Sequence, residues 1–165
     1  MRRDMIMRNI QLEKLDNLLK ESKADYAICT DAVSIESASD GAKHYGISLS
    51  ETTPTLILKT KEKYYAAIIC GDTRISFKKL KLALNVKDIS MADPQTVLTL
   101  TGAKVGEVSL INFEMTTLVD NKILNNKDCY GGSGTSKTTL RINTDDLIRI
   151  THATVLDFTD IRSLK

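Results

Sequence analysis

The sequence has few of the residues on which disulfide frameworks and metal centres depend. Its three cysteines, Cys29, Cys70 and Cys129, are odd in number and widely spaced in apolar or strand-like surroundings. This pattern excludes a disulfide framework and a Cys-x-x-Cys metal site, and it predicts small buried side chains. The two histidines, His44 and His152, lie far apart, so we predict surface or capping side chains and neither a metal nor a cofactor.

Long apolar runs are also missing. The opening MRRDMIMRN has arginines but no sustained apolar core, and no window approaches the roughly 20 apolar residues of a membrane span. We therefore predict a cytoplasmic protein that makes no membrane contact. Residues 1–9 are predicted to form a flexible N-terminal segment.

Charge of one sign is not in large excess either. The net charge is only +2, far from the strongly basic balance of a protein that coats nucleic acid. Basic residues are nevertheless concentrated between positions 59 and 87. Lys59, Lys78 and Lys79 are the candidates there for contacting phosphates, and a solvated face is the other interpretation.

The length of 165 residues fits one domain, over residues 1–165, that buries about two thirds of its unfolded surface. Segments 55–59 and 64–70 are rich in β-branched and aromatic residues and are joined by a polar turn, which predicts a hairpin at the centre of a sheet. Other strand candidates intermix with helices without strict alternation. The predicted fold class is therefore α+β (mixed α/β), with a mixed sheet flanked by helices.

Apolar spacing and capping residues predict the helices. Residues 10–22 carry leucine and isoleucine at near-helical spacing among charged residues, which is typical of an amphipathic surface helix. Ser34 is predicted to cap a second helix that ends at Gly46. Ser76 is predicted to cap a third helix that ends at Asn85.

The most informative stretch lies in the middle of the chain. Asp93 can accept hydrogen bonds from the free amides of a helix start, Pro94 suits the first helical position, and Gly102 can end that helix. Gly106 then begins a loop with few bulky side chains, whose amides are candidates for facing a ligand oxygen. The strand that follows ends at Asp120. Together these elements predict the floor of a pocket.

These residues resemble the YbaK/prolyl-tRNA editing domain family, whose members remove wrongly attached amino acids from tRNA. Five motifs carry the resemblance: Ala92-Asp93-Pro94, Thr101-Gly102, Gly106-Glu107-Val108-Ser109-Leu110, Leu118-Val119-Asp120 and Tyr130-Gly131-Gly132-Ser133-Gly134. The resemblance covers most of the chain. It implies the fold of the family, a curved mixed sheet with helices around it.

The resemblance also implies a site without metal, in which loop amides hold the carbonyl of an aminoacyl ester. The implied catalytic residues are Gly106, Ser109 and Asp120. The implied substrate-binding residues are Pro54, Thr55, Gly132 and Gly134.

Two positions depart from the family pattern. Pro54 stands where the family has a lysine that helps to hold the substrate or its water, and proline has neither an ammonium group nor an N–H. Lys59 is no simple substitute, because side chains alternate along a strand and it should project from the other face. Leu110 stands where the loop proline is expected, which removes a residue that fixes the backbone angle of the loop.

Two functions therefore stay open. The first is a freestanding aminoacyl-tRNA deacylase, an ester hydrolase for mischarged tRNA that relies on loop amides and on the 2′-hydroxyl of the substrate. The alternative is a non-catalytic relative that binds an aminoacyl-tRNA end, an amino acid or a nucleotide in the same pocket. The implied partners are tRNA and, as a candidate, an aminoacyl-tRNA synthetase.

Overall fold

The computed structural model describes residues 2–31 and 33–162. In this part of the chain the α-helices are α1 (Arg2–Glu21), α2 (Ala38–Tyr45), α3 (Phe77–Leu84), α4 (Pro94–Thr101) and α5 (Thr144–Thr151). The strands are β1 (Tyr26–Thr30), β2 (Thr55–Thr60), β3 (Tyr64–Ile68), β4 (Thr73–Ile75), β5 (Ile89–Met91), β6 (Thr116–Asp120), β7 (Asp128–Gly132), β8 (Thr138–Asn143), β9 (Thr154–Leu156) and β10 (Thr159–Ile161). Short 3-10 helices occupy Leu49–Glu51 and Asn121–Asn125.

The strands form three sheets. A mixed sheet has the order β5-β2-β3-β6-β9, in which the central strand β3 is antiparallel to β2 and parallel to β6. An antiparallel sheet has the order β1-β8-β7, and β4 pairs with β10. The predicted α+β class with a mixed sheet and a central hairpin is confirmed. The strands divide among three sheets because β7 and β8 pair with β1 and not with an edge of the larger sheet.

Side-chain alternation along the hairpin decides which helix covers each face of the five-stranded sheet. Leu58 of β2 is buried against Leu80 of α3. Its neighbour Ile57 lies on the opposite face and packs with Val97 of α4. Lys59 has the same parity as Ile57, so it projects on the α4 side, as the sequence predicted.

The largest apolar cluster joins the two larger sheets. Leu19 of α1, Leu147 of α5, Ile142 of β8 and Ile68 of β3 are fully buried within it. Burial of one such side chain stabilises a fold by about 1.5–3 kcal/mol relative to its exposure. This cluster holds the end of the hairpin sheet against the β7–β8 sheet, and the cavity described below forms between them.

Most of the predicted helix ends are observed. The Ser76 and Asp93 side chains accept hydrogen bonds from amides of the first turns of α3 and α4. Gly46, Asn85 and Gly102 end α2, α3 and α4 in the left-handed conformation. His152, predicted as a surface or capping side chain, is exposed and ends α5 through its backbone in the same conformation.

The start of α2 differs from the prediction. Ser37, and not Ser34, is the capping residue, and its hydroxyl accepts a hydrogen bond of 3.1 Å from the amide of Asp40. Between the two serines, the amide of Ile35 donates to the carbonyl of Ser136. This long-range bond keeps the segment extended, so the helix starts three residues later.

The start of α1 also differs from the prediction. Residues 2–9, which the sequence analysis expected to be flexible, continue the helix predicted for residues 10–22. No glycine or proline interrupts them, so nothing in the local sequence stops the helix. Residues 2–11 are exposed, and α1 packs on the fold through its second half, at Leu15 and Leu19.

The cysteines are free thiols, and Cys70 and Cys129 are buried as predicted, whereas Cys29 is half-buried. Burial raises the pKa of Cys70 to about 12 and that of Cys129 to about 11, which disfavours thiolates. Within residues 2–31 and 33–162, no three His, Cys, Asp or Glu side chains gather as a metal site. No helix in these ranges has the length and apolar character needed to cross a bilayer.

Candidate functional site

A cavity of about 110 Å³ lies between α2, the segment that precedes β2, the Gly106 loop and the β7–β8 turn. Ile35, Tyr45 and Tyr130 form its apolar walls, and Thr52, Thr53 and Thr139 contribute polar atoms. No charged side chain of the described residues lines it. The cavity therefore suits a small uncharged group that makes hydrogen bonds.

Main-chain pairing holds the walls of the cavity together. The amide of Thr53 donates to the carbonyl of Tyr130 at 2.8 Å, which joins the start of β2 to β7. The amide of Leu110 donates to the carbonyl of Gly132 at 3.0 Å, which joins the loop to the same strand. α2 closes the remaining side, where the rings of Tyr45 and Tyr130 lie 5.6 Å apart.

Two adjacent glycines allow these close approaches. A Cβ at Gly131 would lie 2.7 Å from the carbonyl oxygen of Thr53 and from Cγ of Leu110. A Cβ at Gly132 would lie 2.1 Å from the carbonyl oxygen of Val108. Both distances are shorter than van der Waals contact, so the wall requires residues without a side chain at these positions.

The loop amides are partly occupied by the protein itself. The amide of Glu107 donates to the carbonyl of Lys104 at 2.9 Å, and that of Leu110 donates to Gly132. Within the described residues, the amides of Gly106, Val108 and Ser109 have no hydrogen-bond partner. Gly106 lines the cavity, so its amide is the best-placed donor for a ligand oxygen.

Leu110 does not obstruct the cavity. Its side chain is fully buried in the apolar cluster between the sheets and does not line the cavity. Its amide also makes the bond to Gly132, which a proline could not donate. The sequence predicts that this leucine loosens the loop, but the bond from its amide to Gly132 holds the loop instead.

The structure brings together three of the residues that the sequence analysis proposed for the site. Pro54, Gly106 and Gly132 all line the cavity. Ser109 and Gly134 line a neighbouring hollow against α1, and the Ser109 hydroxyl accepts a hydrogen bond from the amide of Ile111. Thr55 is buried beside α4 and does not line the cavity either. For Thr55 the reason is alternation at the start of β2, which turns its side chain to the side opposite Pro54.

Asp120 lies outside the cavity lining and has a different environment from the one expected. It is fully buried, and its carboxylate accepts hydrogen bonds from the amides of Phe158, at 2.9 Å, and Lys122, at 3.1 Å. The Lys122 ammonium lies 3.6 Å from the same carboxylate. These contacts join β6 to the strand pair at the end of the chain, which is a structural role.

We predict that Asp120→Asn lowers the free energy of unfolding by about 2–3 kcal/mol, because a charge-assisted bond to a buried amide is lost. Urea unfolding measures this loss. The folded variant is expected to keep its site intact, and Asp160→Asn, which removes an exposed carboxylate from the same end of the chain, serves as control. A tenfold loss of site activity without a loss of stability would instead support the catalytic assignment.

The three candidate phosphate-binding lysines do not form one patch. Lys59 lies on the α4 side of the sheet, near Asp93, whose pKa is lowered mainly by hydrogen bonds from the amide and hydroxyl of Thr96 and to a smaller extent by the Lys59 charge. Lys78 and Lys79 belong to α3, on the opposite face. The Lys79 ammonium forms ion pairs with Asp160 at 3.1 Å and with Asp157 at 3.3 Å, and these contacts raise its pKa.

The sequence analysis did not find a polar network behind the cavity wall. The buried carboxylate of Asp31 accepts hydrogen bonds from the hydroxyls of Tyr45 and Thr139, and the imidazole of His44 lies 3.5 Å away. Burial and the bond to Asp31 raise the pKa of Tyr45 well above its usual range. No local pattern in the sequence links Asp31 to Thr139, a residue 108 positions away.

A model of the aminoacyl-tRNA editing domain matches residues 32–150. Curated relatives include the proline–tRNA ligase of Caldicellulosiruptor bescii, 29% identical over 119 residues, or 72% of this chain and 20% of the relative. The proline–tRNA ligase of Brachyspira hyodysenteriae is 32% identical over 110 residues, or 65% of this chain and 19% of the relative. The chain thus spans about a fifth of the length of these relatives.

Solved structures share the fold. The crystal structure of a hypothetical protein matches with a TM-score of 0.83 and 27% identity, over 89% of this chain and 99% of that one. That of a proposed trans-editing enzyme for prolyl-tRNA synthetase matches with a TM-score of 0.80 and 19% identity, over 91% and 97% of the two chains. At that identity the second likeness supports the fold alone.

Proposed function

Because the chain belongs to the family of aminoacyl-tRNA editing domains, we propose that it is a deacylase that hydrolyses the ester of a mischarged tRNA. One observation carries the proposal: the Gly106 amide, without a partner in the described residues, lies at a small uncharged cavity. A family member with such a donor beside such a cavity has two parts that ester hydrolysis needs: a donor for the oxyanion and space for the substrate side chain. We propose mischarged tRNA as the substrate and an aminoacyl-tRNA synthetase as the source of the error.

The amino acid side chain of the substrate occupies the cavity in this proposal. A volume of about 110 Å³ accommodates a few heavy atoms, so we propose a small uncharged side chain. The rings of Tyr45 and Tyr130 set the upper limit of size. A pocket of this kind discriminates by shape, and one extra methylene costs about 1–3 kcal/mol.

The reaction centre then lies at the mouth of the cavity, beside Gly106. The Gly106 amide donates to the carbonyl oxygen of the ester and stabilises the negative charge that develops when water attacks. One donor of this type contributes about 3–4 kcal/mol to transition-state stabilisation. The 2′-hydroxyl of the terminal adenosine is a further group, supplied by the substrate, that assists.

A second function is favoured by Pro54. This residue lines the cavity where the family has a lysine, and no charged side chain among the described residues replaces it there. A pocket without that charge is consistent with a non-catalytic relative that binds an aminoacyl-tRNA end, an amino acid or a nucleotide. The two functions differ in turnover and not in binding.

A panel of mischarged tRNAs separates the two functions. The purified protein is incubated with tRNAs that carry alanine, serine or cysteine, and with one that carries phenylalanine as a large control. A deacylase releases at least one small amino acid about tenfold faster than the spontaneous rate and leaves the phenylalanine ester intact. Saturable binding of a charged tRNA without release from any would establish the binding protein.

Restoring the family lysine gives a further prediction. We expect Pro54→Lys to raise kcat/KM for the preferred ester by about fivefold, because the ammonium adds a positive charge beside the developing oxyanion. Pro54→Met, which has similar length without the charge, is the matched control. Equal rates for the two variants would show that the ammonium does not reach the reaction centre.

A further inference from the structure

Ester hydrolysis requires a group that takes a proton from the attacking water. Among the described residues that line the cavity there is no carboxylate, imidazole or amine, and the Tyr45 hydroxyl there already donates to Asp31. The carboxylate of Asp31 lies directly behind this lining. It is in contact with two lining hydroxyls, those of Thr139 and Tyr45.

Asp31 is buried, and hydrogen bonds fix the position of its side chain and its backbone. Its side chain is 1% exposed, and its own amide donates to the carbonyl of Lys137 at 2.7 Å, which fixes the end of β1. Oδ2 accepts a hydrogen bond of 2.9 Å from Thr139 Oγ1, and Oδ1 accepts one from the Tyr45 hydroxyl. Burial of a carboxylate costs free energy unless hydrogen-bond donors compensate the lost hydration. Here the two hydroxyl donors belong to Thr139 and Tyr45, which also line the cavity.

Thr139 connects this carboxylate to the place where the reaction is proposed to occur. It pairs with Gly132 across the β7–β8 ladder, so its side chain stands beside the glycine wall. Its hydroxyl donates to Asp31 and also lies next to the Tyr45 hydroxyl, and a hydroxyl oxygen has a second lone pair that can accept a proton from the cavity side. His44 lies on the other side of Asp31, with its imidazole 33% exposed and Nε2 3.5 Å from Oδ1.

We propose that Asp31 is the proton acceptor of the reaction, reached through the hydroxyl of Thr139, and that His44 connects it to solvent. This inference rests on the proposed deacylase function. Thr139 is the catalytic residue, because it touches the attacking water. Asp31 and His44 act through it, and we call these three residues the relay. The relay supplies the proton transfer in a protein that has Pro54 in place of the family lysine.

The proton balance of the step is complete. Water oxygen forms a bond to the ester carbonyl carbon, its proton passes to Thr139 Oγ1, and the threonine proton passes to Asp31 Oδ2. When the tetrahedral intermediate collapses, the bond between the carbonyl carbon and the ribose oxygen breaks. The proton returns from Asp31 through Thr139 to the ribose oxygen, so the products are a free amino acid and the tRNA hydroxyl.

Charges near the relay determine its pH dependence. The ionisable groups that face Asp31 are His44 and Tyr45 from α2, and the Cys29 thiol from β1 lies close enough to influence Tyr45. A positive charge on the His44 imidazole weakens the neighbouring carboxylate as a base, so kcat is expected to fall at the acid end of its pH profile.

Paired substitutions at Thr139 and Asp31 test the relay. We expect Thr139→Val and Asp31→Asn to lower kcat about a hundredfold, within the range for general bases, and Thr139→Ser to keep at least a third of it. Binding of a non-hydrolysable 3′-aminoacylamido-adenosine should change less than threefold. Asp40→Asn, which removes an exposed carboxylate from α2, is the matched control. A purely structural role would weaken binding and kcat together.

A variant at the exposed end of the relay covers the case in which Asp31→Asn does not fold. His44→Gln keeps a polar side chain at a partly exposed position and is expected to shift the acid limb of the kcat profile to lower pH. If the wild-type protein is active and Thr139→Val has the same kcat, the relay is wrong. The relay is also wrong if the pH profile of kcat is unchanged in His44→Gln. Either result leaves the deacylase function supported. No activity of the wild-type protein on any ester overturns both.

Discussion

Replacement of Gly132 by alanine is expected to lower the free energy of unfolding by about 3–5 kcal/mol, the upper end of the range for single substitutions. The added Cβ would lie 2.1 Å from the carbonyl oxygen of Val108 and 3.0 Å from that of Glu107. Both contacts are with backbone, so no flexible side chain can move aside. The loop would have to separate from β7 and break the bond between the Leu110 amide and the Gly132 carbonyl.

Gly134→Ala is the matched control for this substitution. Gly134 has a φ of +102°, and a Cβ there would meet nothing within 4 Å. Its replacement should therefore cost only the backbone strain, about 1–2 kcal/mol. Urea unfolding of both variants measures the difference, and equal losses would mean that the loop does not lie against β7 as the structure shows.

Gly106→Ala is expected to lower kcat/KM for the preferred aminoacyl ester by roughly a hundredfold, the effect of losing one oxyanion donor. Gly106 has a φ of +92°, and a Cβ there would lie 2.8 Å from the carbonyl oxygen of Glu36. The loop must therefore shift or rotate at this residue. Either movement displaces the Gly106 amide, which is the one amide of loop residues 106–110 whose residue lines the cavity and which lacks a partner among the described residues.

Gly46→Ala separates backbone strain from the effect on the site. Gly46 has a similar left-handed conformation, with a φ of +63°, and a Cβ there would meet nothing within 4 Å. It ends α2 and does not line the cavity. We expect this variant to lose about 1 kcal/mol of stability and to keep its activity. An active Gly106→Ala protein would remove the loop amide from the mechanism.

The two variants probe different properties of the same loop. Gly132→Ala tests whether the loop is attached to β7, and its readout is stability, which requires no substrate. Gly106→Ala tests what the attached loop does, and its readout is turnover. If Gly132→Ala loses stability and Gly106→Ala keeps full activity, the results support the fold and reject the oxyanion role of the Gly106 amide.

Local patterns in the sequence predicted features that depend on neighbouring residues. The cap at Asp93, the left-handed end at Gly102 and the parity that places Lys59 opposite Leu58 are all observed. Each follows from side-chain chemistry or from the two-residue period of a strand. The resemblance of the glycine motifs likewise led to Gly106 and Gly132, both at the cavity.

Other candidate residues lie away from the cavity, because a motif does not state which way a side chain points or which other groups bind it. Asp120 ends its strand as expected, yet its carboxylate is held by the amides of Lys122 and Phe158. Ser109 follows the loop glycine by three positions and faces the neighbouring hollow beside α1. Sequence patterns could not anticipate either result, because the contacts that decide them come from other elements.

Short-range spacing and motifs along single stretches of chain were enough to predict the fold class, the C-terminal ends of α2, α3 and α4, and the family. Tertiary structure alone decided the composition of the site: the wall of Tyr45 and Tyr130, the occupied and free loop amides, and the carboxylate of Asp31 behind Thr139. The physical reason is that hydrogen bonds and contacts across the cavity join residues up to 108 positions apart. Their partners are selected by the packing of sheets and helices and not by local preference.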